Sequence, residues 1–373
     1  MTFIQETATQ KAIRNQAVLD AIFSYSSPGT ILRMSRTCRR IKDLVDSYIR
    51  AAFNINRHLS RYFPDPIAFR SMQARTASLL SGSNALQFLD RTTYPDTDLD
   101  LYVFQECTGE VGRFMLENGY RFLPTEMQDA DFEIALIQRT VMNTVYPGPL
   151  RGVFQFVKKS DNGEDLKVEV ISTTAPFSCV LCSYSTCVMN MISYEKAYSL
   201  FPRATFEDRT SFICTNVPWR RDVAIKKYTQ RGWDVLRSRR AYVIRDDLLS
   251  VERRLDDAYT WTMPLNVEGI PPVSLSPSSS SLKSDPVSIC CWRSIGQQSD
   301  SRTWDQLTRI DNGLLSLLKF RYIIQDATLA RHIAGLLHCI ASHRAANLNR
   351  YYDAELIQFC QEYYRRCKEI RSA

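Results

Sequence analysis

Apolar residues recur at helical spacing over the first part of the chain. Val18, Leu19, Ile22 and Phe23 repeat every three to four positions, and the pattern resumes after the turn Ser-Ser-Pro-Gly. The two prolines of "YFPDP" then end it, because proline lacks an amide proton and restricts the residue before it. The pattern predicts a small helical segment over residues 11–60, followed by a separate domain.

The apolar pattern of residues 66–265 switches between helix and strand periods. "SNALQFLDR" and "GEVGRFMLENGY" have helical spacing, and "SYEKAYSLFP" and "RDVAIKKYTQRGW" predict further helices. "DLDLYVF", "FEIALIQR", "GVFQFVKK" and "LKVEVIS" predict strands, the last two joined by the turn "SDNGED". Interspersed strands and helices indicate an α/β or α+β domain, and we expect the α+β class, with a mixed sheet and flanking helices.

The last third of the chain begins with a change of composition. Serine and proline dominate "GIPPVSLSPSSSSLKSDP", which has too few apolar residues for a core, so we expect a disordered linker over residues 269–302. Helical spacing returns in "WDQLTRIDNGLLSLLKF", "LARHIAGLLHCIASH" and "AELIQFCQEYYRRCKEI". These segments predict a C-terminal helical region over residues 303–373.

Composition narrows the class of protein. Of the 373 residues 45% are hydrophobic and 23% charged, as in globular domains, and no apolar run is long enough to span a membrane. Eleven irregularly spaced cysteines indicate reduced thiols, so we expect an intracellular protein, cytoplasmic or nuclear, without a membrane partner. The net charge of +7 concentrates in residues 33–57 and 220–254, which are either solvated faces or surfaces for a nucleotide phosphate or nucleic acid.

Two acids alternate with leucines in the predicted strand "DLDLYVF". Because strand side chains alternate between faces, Asp98 and Asp100 project together while the leucines enter the core. Paired carboxylates repel each other unless they share a proton or bind a cation, and Mg²⁺ prefers such oxygen ligands. Upstream, Gly82 permits close backbone approach, and Ser83 lies where a helix begins, a position that favours phosphate.

This order of elements resembles the signature of the nucleotidyltransferase superfamily. "LSGS", a spacer and "DLDL" match its glycine element and paired acids, although Ser81 stands where an apolar residue is usual. The third acid of the family corresponds to Glu169 in "KVEV". The resemblance implies that Asp98, Asp100 and Glu169 are catalytic metal ligands for Mg²⁺. It also implies that Glu169 helps to deprotonate an acceptor hydroxyl.

The segment "KKYTQRGW" supplies candidate ligands for the nucleotide. On a helix, Lys227 and Arg231 share one face, and with Lys226 they could bind the phosphates of an NTP. The alternative is an amphipathic helix with solvated lysines and a core tryptophan. For the acids the alternative is a structural ion pair, in which Lys167 on the same strand face as Glu169 replaces the metal.

Residues 15–260 are also similar to a large family of uncharacterised proteins from mushroom-forming fungi. Within them, "AVLDAIFSYSSPGTILRMSRTCRRIKDLV" resembles an F-box, although the usual Leu-Pro opening is absent. That resemblance implies a cullin-ligase adaptor as partner and a non-catalytic binding protein as the alternative function. The helices could instead be an extension packed on the next domain. The residues implied in the helical unit and its adaptor face are Leu19, Ile22, Ile31, Leu32 and Cys38.

"CVLCSYSTC" contains three cysteines at close spacing. Zinc needs four ligands, no histidine is near, and Cys214 could complete a set only by folding back. We therefore interpret Cys179, Cys182 and Cys187 as buried thiols. His332, His338 and His343 have no acid in register and are treated as core or surface residues.

Overall fold

The computed structural model describes most of the chain in segments. These are residues 15–95, 97–141, 149–214, 218–236, 252–271, 291–296, 308–311, 329, 332–333 and 352–372. Within them, the protein combines a helical N-terminal unit, a mixed α+β region with an eight-stranded sheet, and a helix near the C-terminus.

The N-terminal unit consists of short helices around a small core of its own. Leu19, Phe23, Ile31, Ile41 and Val45 are buried in one cluster, as the helical spacing of the sequence predicted. The asparagine before the first helix and the serine before the second accept amide protons of the first turn, which starts each helix at a defined residue. The helices are α1 (Gln16–Tyr25), α2 (Pro28–Met34), α3 (Arg39–Ala52) and α4 (Ile55–Leu59).

The main sheet has the strand order β11-β7-β6-β1-β2-β5-β4-β3 among the described residues. Strands β2 and β5 run parallel, and the other neighbours pair antiparallel. The central strands therefore bring residues from distant parts of the sequence side by side. The strands are β1 (Leu79–Ser81), β2 (Leu99–Phe104), β3 (Arg121–Leu123), β4 (Leu150–Lys159), β5 (Asp165–Thr173), β6 (Asn190–Ile192), β7 (Lys196–Ser199) and β11 (Trp261–Pro264).

Helices cover both faces of this sheet. Leu80, Leu101 and Val170 pack in the larger core cluster, to which α6 contributes its apolar side, whereas Leu79 joins a second cluster that includes Phe177 of α9. Each face is thus a separate apolar layer, as expected when strand residues alternate. The helices are α5 (Pro66–Thr76), α6 (Gly82–Asp90), α7 (Thr108–Glu117), α8 (Phe132–Val141), α9 (Pro176–Leu181) and α10 (Pro218–Gln230).

Two smaller sheets and a helix complete the described elements. Strands β8 (Thr210–Phe212) and β9 (Asp234–Leu236) pair in parallel. Strand β12 (Cys291–Gly296) lies between β10 (Glu252–Arg254) and β13 (Thr308–Asp311). Helix α11 runs over Asp353–Ser372 and packs in a small cluster with Leu329 and Ile333.

These strands correct two predictions for the last third of the chain. Residues 291–296 were expected in a disordered linker and instead form the central strand of a sheet. Residues 308–311 were expected in a helix and form its edge. Hydrogen bonds to neighbouring strands stabilise both segments as strands in spite of their local composition. The serine-rich residues 272–290, and His338 and His343, lie outside the described residues.

The segment "FEIALIQR" was predicted as a strand and forms helix α8. Phe132 and Ala135 are buried three positions apart, which is helical spacing. The carboxylate of Asp131 accepts the amides of Glu133 and Ile134, so a helix cap precedes the segment. The short apolar run of residues 134–137 fits a buried strand as well as a helix, so the sequence alone was misleading here.

The segment "SYEKAYSLFP" was predicted as a helix, but its centre is strand β7. Ala197 pairs with Ile192 on one side and with Met263 on the other. Ala197 and Tyr198 are both buried because the two faces of the strand pack in the two core clusters. Tertiary pairing therefore overrides the local helix preference of this segment.

Candidate active site at the carboxylate row

Four polar residues line up across four adjacent strands of the main sheet. Ser81 of β1 pairs with Asp100 of β2, Asp100 pairs with Glu169 of β5, and Glu169 pairs with Gln155 of β4. Residues paired in register share one face of a sheet with adjacent side chains. We call these four residues the carboxylate row.

The alternation of β2 and β5 explains why Asp100 and Glu169 do not enter the apolar core with their neighbours, whereas Ser81 at the end of the row is fully buried. In β2, Leu99 and Leu101 are fully buried whereas Asp100 between them is half-buried. In β5, Val168 is fully buried and Glu169 beside it is half-buried. The leucines and valines fix these strands in the core, so the acids must project together from the other face. The sequence predicted this arrangement for Asp100 and Glu169.

The N-terminus of α6 meets the row at Gly82. This glycine has a φ of 65°, and a Cβ atom placed on it would lie 1.8 Å from Oδ2 of Asp100. A side chain at this position would therefore displace the carboxyl group. Ser83 follows, largely buried, in the first turn of the helix. The close backbone approach expected of Gly82 is therefore present, and it is made to an acid of the same chain.

Burial and neighbouring acids raise the pKa of both acids in the row. Burial and then the negative charges of Glu169 and Asp98 raise the pKa of Asp100 to about 8. Burial and the charge of Asp98 likewise raise the pKa of Glu169. The positive charge of Lys227 acts in the opposite direction on the pKa of both groups. The fold thus holds negative charges together at one place, where a cation would be stabilised.

Gln155 is a polar partner of Glu169 that sequence reasoning missed. Its Nε2 donates a hydrogen bond of 3.0 Å to Oε1 of Glu169, which lowers the pKa of that carboxyl group against the effect of burial. Lys167, the candidate for a structural ion pair, is exposed, and its positive charge lowers the pKa of Glu169 without cancelling the effect of burial. The side chain that is hydrogen-bonded to Glu169 is the amide of Gln155.

Helix α10 brings only part of the predicted cationic group towards the row. Lys227 is half-buried and acts electrostatically on both acids, whereas Lys226 is exposed. Arg231 lies one residue beyond the end of the helix, and its guanidinium carbon is 3.9 Å from the ring centre of Tyr94. Trp233 is a core residue whose Nε1 donates to the carbonyl of Thr205, as the amphipathic alternative predicted.

The donor set of the row suits a hard divalent cation. Among the described residues, no group of three or more His, Cys, Asp or Glu side chains is arranged to hold a metal ion by itself. Mg²⁺, however, is usually bound by one or two carboxylates, with water and phosphate oxygens at its other positions. The in-register pair of Asp100 and Glu169, with Asp98 at the start of β2, fits such a partial ligand set.

The cysteine cluster differs in one position from its prediction. Cys179 and Cys187 are buried, and burial raises the pKa of both thiols. Cys182 is exposed because it follows the last turn of α9. These three cysteines form no disulfide, and none of them belongs to a metal site in the described part of the chain.

The residues that the F-box resemblance implies for the helical unit and its adaptor face fall into a buried group and an exposed group. Leu19 and Ile31 are core residues of the unit, whereas Ile22, Leu32 and Cys38 are exposed. The unit is held to the sheet region by Arg91, which donates to the carbonyls of Phe23 and Ser26 and to the hydroxyl of Tyr48. Both descriptions of this segment, a unit with its own core and an extension packed on the next domain, agree with these contacts.

Comparisons with known proteins found no match. No family model, no curated protein and no solved structure matches this chain. Within the described residues, no helix is both long and apolar enough to cross a membrane.

Proposed function

We propose that the chain has a nucleotidyltransferase-like fold and is a metal-dependent nucleotidyltransferase. It would transfer a nucleotidyl group from an NTP to an acceptor that is an RNA end, a protein or a small molecule. The observation that carries the proposal is the register of Asp100 with Glu169 beside the N-terminus of α6 at Gly82. Carboxylates held close together raise the free energy of the fold unless positive charge compensates them, and Lys227 does so only in part, since the pKa of both acids stays raised.

Asp98, Asp100 and Glu169 would hold Mg²⁺, which supplies positive charge to the phosphate oxygens of the transferred group. Glu169 is suited to accept the proton of the acceptor hydroxyl, because its raised pKa makes it a stronger base near neutral pH. Gln155 occupies one oxygen of Glu169 and leaves the other for this role.

The phosphates of the NTP would lie between α6 and α10. Ser81 makes no cap to α6, since its hydroxyl donates to the carbonyl of Asn190. First-turn amides of a helix favour phosphate oxygens, and the largely buried Ser83 lies in that turn. Lys227 and Arg231 supply positive charge from the other side, and the exposed Lys226 would contribute by attraction at longer range.

The test is pyrophosphate release from each NTP with millimolar Mg²⁺, or Mn²⁺ in its place. We expect turnover by the wild type, and its loss in Asp98→Asn and Asp100→Asn. Asp161→Asn, in the exposed turn between β4 and β5, is the matched control and should retain activity. We also expect Mg²⁺ with nucleotide to raise the melting temperature of the wild type and of Asp161→Asn, but not of Asp100→Asn. A wild type that neither binds nor hydrolyses any NTP contradicts the proposal.

A second candidate function is an F-box-type subunit of a ubiquitin ligase, with the sheet region as a non-catalytic binding domain. It is favoured by an apolar stripe on α1. Val18, Ile22 and Tyr25 lie on one face and are 38%, 44% and 94% exposed. Exposed apolar residues on one helix face suit a protein partner.

Co-purification with a cullin-ligase adaptor tests this function. Ile22→Asp should abolish it without unfolding the unit, because Ile22 is at the surface. Leu19 and Ile31 are unsuitable targets, since they form the core. Val223→Asp, which changes an exposed apolar residue of α10, is the control. Unchanged co-purification of Ile22→Asp, or none with the wild type, contradicts the adaptor function.

A further inference from the structure

Gln155 is a polar side chain at the end of the carboxylate row. It is half-buried on the outward face of β4, and its register partner in β5 is Glu169. The flanking residues of β4, Phe154 and Phe156, are buried in the core and fix the direction of the side chain between them. Gln155 therefore projects from the same face as Glu169, within hydrogen-bond distance of its carboxylate.

The hydrogen bond defines which oxygen of Glu169 is available. Nε2 of Gln155 donates to Oε1 at 3.0 Å, which leaves Oε2 as the oxygen without this donor. A carboxylate that accepts a hydrogen bond from a fixed neighbour has a restricted orientation. On the opposite side the row continues to Asp100, since β2 is the other neighbour of β5.

We propose that Gln155 is a positioning residue, which orients the carboxylate of Glu169 towards a divalent cation shared with Asp100. The proposal rests on the metal-dependent function proposed above and deepens it. A glutamine suits this place because its amide donates a proton without adding positive charge to the cation site. A lysine at the same register would itself neutralise the acids, and an apolar residue would leave Glu169 free to rotate.

The first experiment measures binding of Mn²⁺ alone, followed by electron paramagnetic resonance as the signal of the free ion disappears. We expect Gln155→Leu to weaken Mn²⁺ binding by about tenfold, the lower end of effects for residues that orient metal ligands. Gln128→Leu is the control, because Gln128 also donates a hydrogen bond to β4, at the carbonyl of Val153, but does not contact the row. Its affinity for Mn²⁺ should equal that of the wild type.

The second experiment separates kcat from KM with an NTP and Mg²⁺. Gln155→Leu should lower kcat by about tenfold and leave KM for the nucleotide unchanged, because Lys227 and Arg231 are untouched. Unchanged Mn²⁺ affinity in Gln155→Leu, or an equal loss in Gln128→Leu, overturns the role of Gln155 and leaves the proposed function standing. A wild type that binds no Mn²⁺ overturns both.

Discussion

Asp257 and Asp100 are two half-buried aspartates with opposite surroundings. Asp257 accepts hydrogen bonds from Nε of Arg253 at 2.6 Å and from the amides of Arg254 and Tyr259. Burial raises the pKa of Asp257, but these donors outweigh it and hold the pKa below its usual value. Asp100 has Glu169 as its register neighbour, and its pKa is raised to about 8.

The difference separates an acid whose charge is compensated by its own turn from an acid whose charge is compensated only in part. The donors of Asp257 all belong to its own turn, so its charge is compensated whenever that turn is folded. Asp100 lies against Gly82, which offers no side chain, and near other acids, and the positive charge of Lys227 does not return its pKa to the usual value. Substitutions should therefore have opposite effects at the two positions.

The largest effect is expected for Asp257→Asn. Arg253 is fully buried, so neutralising Asp257 removes the carboxylate that is ion-paired with a buried guanidinium. The free energy of unfolding should fall by about 3 kcal/mol or more. Because the pKa of Asp257 is lowered in the fold, this stabilisation is present above about pH 4 and is lost as the pH falls. Urea unfolding at neutral pH measures the loss, and a neutral effect would contradict the structural role.

Asp100→Asn should act in the opposite direction. The raised pKa means that the folded protein retains a proton which the unfolded chain releases between about pH 4 and pH 8. The contribution of Asp100 to stability is therefore fully present below about pH 4 and lost as the pH rises to 8. We expect the free energy of unfolding of the variant to exceed that of the wild type by on the order of 2–4 kcal/mol at pH 8.5 and by much less at pH 5. Urea unfolding at both pH values decides, and a destabilised variant at pH 8.5 would indicate a structural ion pair.

Gly82→Ala tests whether the place of Asp100 depends on the glycine. The substitution places an alanine in the left-handed backbone conformation, with its Cβ atom against Oδ2 of Asp100. The free energy of unfolding should fall by about 2–3 kcal/mol. Gly163→Ala is a matched control, since Gly163 also has a positive φ but nothing lies within 4 Å of its Cβ position. The control should cost about 1–2 kcal/mol and leave Mn²⁺ binding unchanged. Equal Mn²⁺ affinity in both variants would show that the position of Asp100 does not depend on Gly82.

Glu207→Gln should have the smallest effect on stability. Glu207 is compensated like Asp257, but its arginine partner is largely exposed. Its carboxylate accepts the amide of Gly29 at 3.0 Å and Nη2 of Arg33 at 2.9 Å, and so ties α2 to the sheet region. Burial raises the pKa of Glu207, but donors including Ser27 and Arg33 lower it overall, so the stabilisation exists at neutral pH and is lost on acidification. Since Arg33 is mostly exposed, we expect a loss of about 1 kcal/mol at pH 7. Faster hydrogen exchange confined to residues 16–52 would accompany it.

The central part of the fold could be predicted because its patterns were local. The helix that starts at Gly82, strand β2, and the hairpin of β4 and β5 each have a clear period and a turn or glycine at their ends. The predictions were wrong where the local sequence pattern favours one structure and pairing with distant strands produces another. Residues 196–199 have a helical composition but lie between two strands, and residues 291–296 follow a serine-rich stretch but pair on both sides.

The candidate site was predicted in its acids and not in its neighbours. Asp100 and Glu169 follow from alternation along their strands, but nothing in the sequence states that β2 and β5 pair in register. Gln155 could have been found, because counting outward from the hairpin turn places it opposite Glu169. The stacking of Arg231 on Tyr94 joins segments far apart in sequence, and no local pattern indicates such a contact.

The turn between β4 and β5 has a consequence for how this protein can change over evolutionary time. Its residues 161–164 are exposed, and no atom lies within 4 Å of the Cβ position of Gly163. Substitutions at residues 161, 162 and 164 should be widely accepted, whereas Gly163 has a φ of 83°, which other residues adopt only at a cost. The length of the turn is also constrained, because it sets the pairing of Lys159 with Asp165 and of every pair behind it, including Gln155 with Glu169. A single inserted or deleted residue would slip the hairpin by one position and turn one member of that pair to the opposite face. Lineages that retain the site should therefore vary the other side chains of this turn while keeping its glycine and its number of residues.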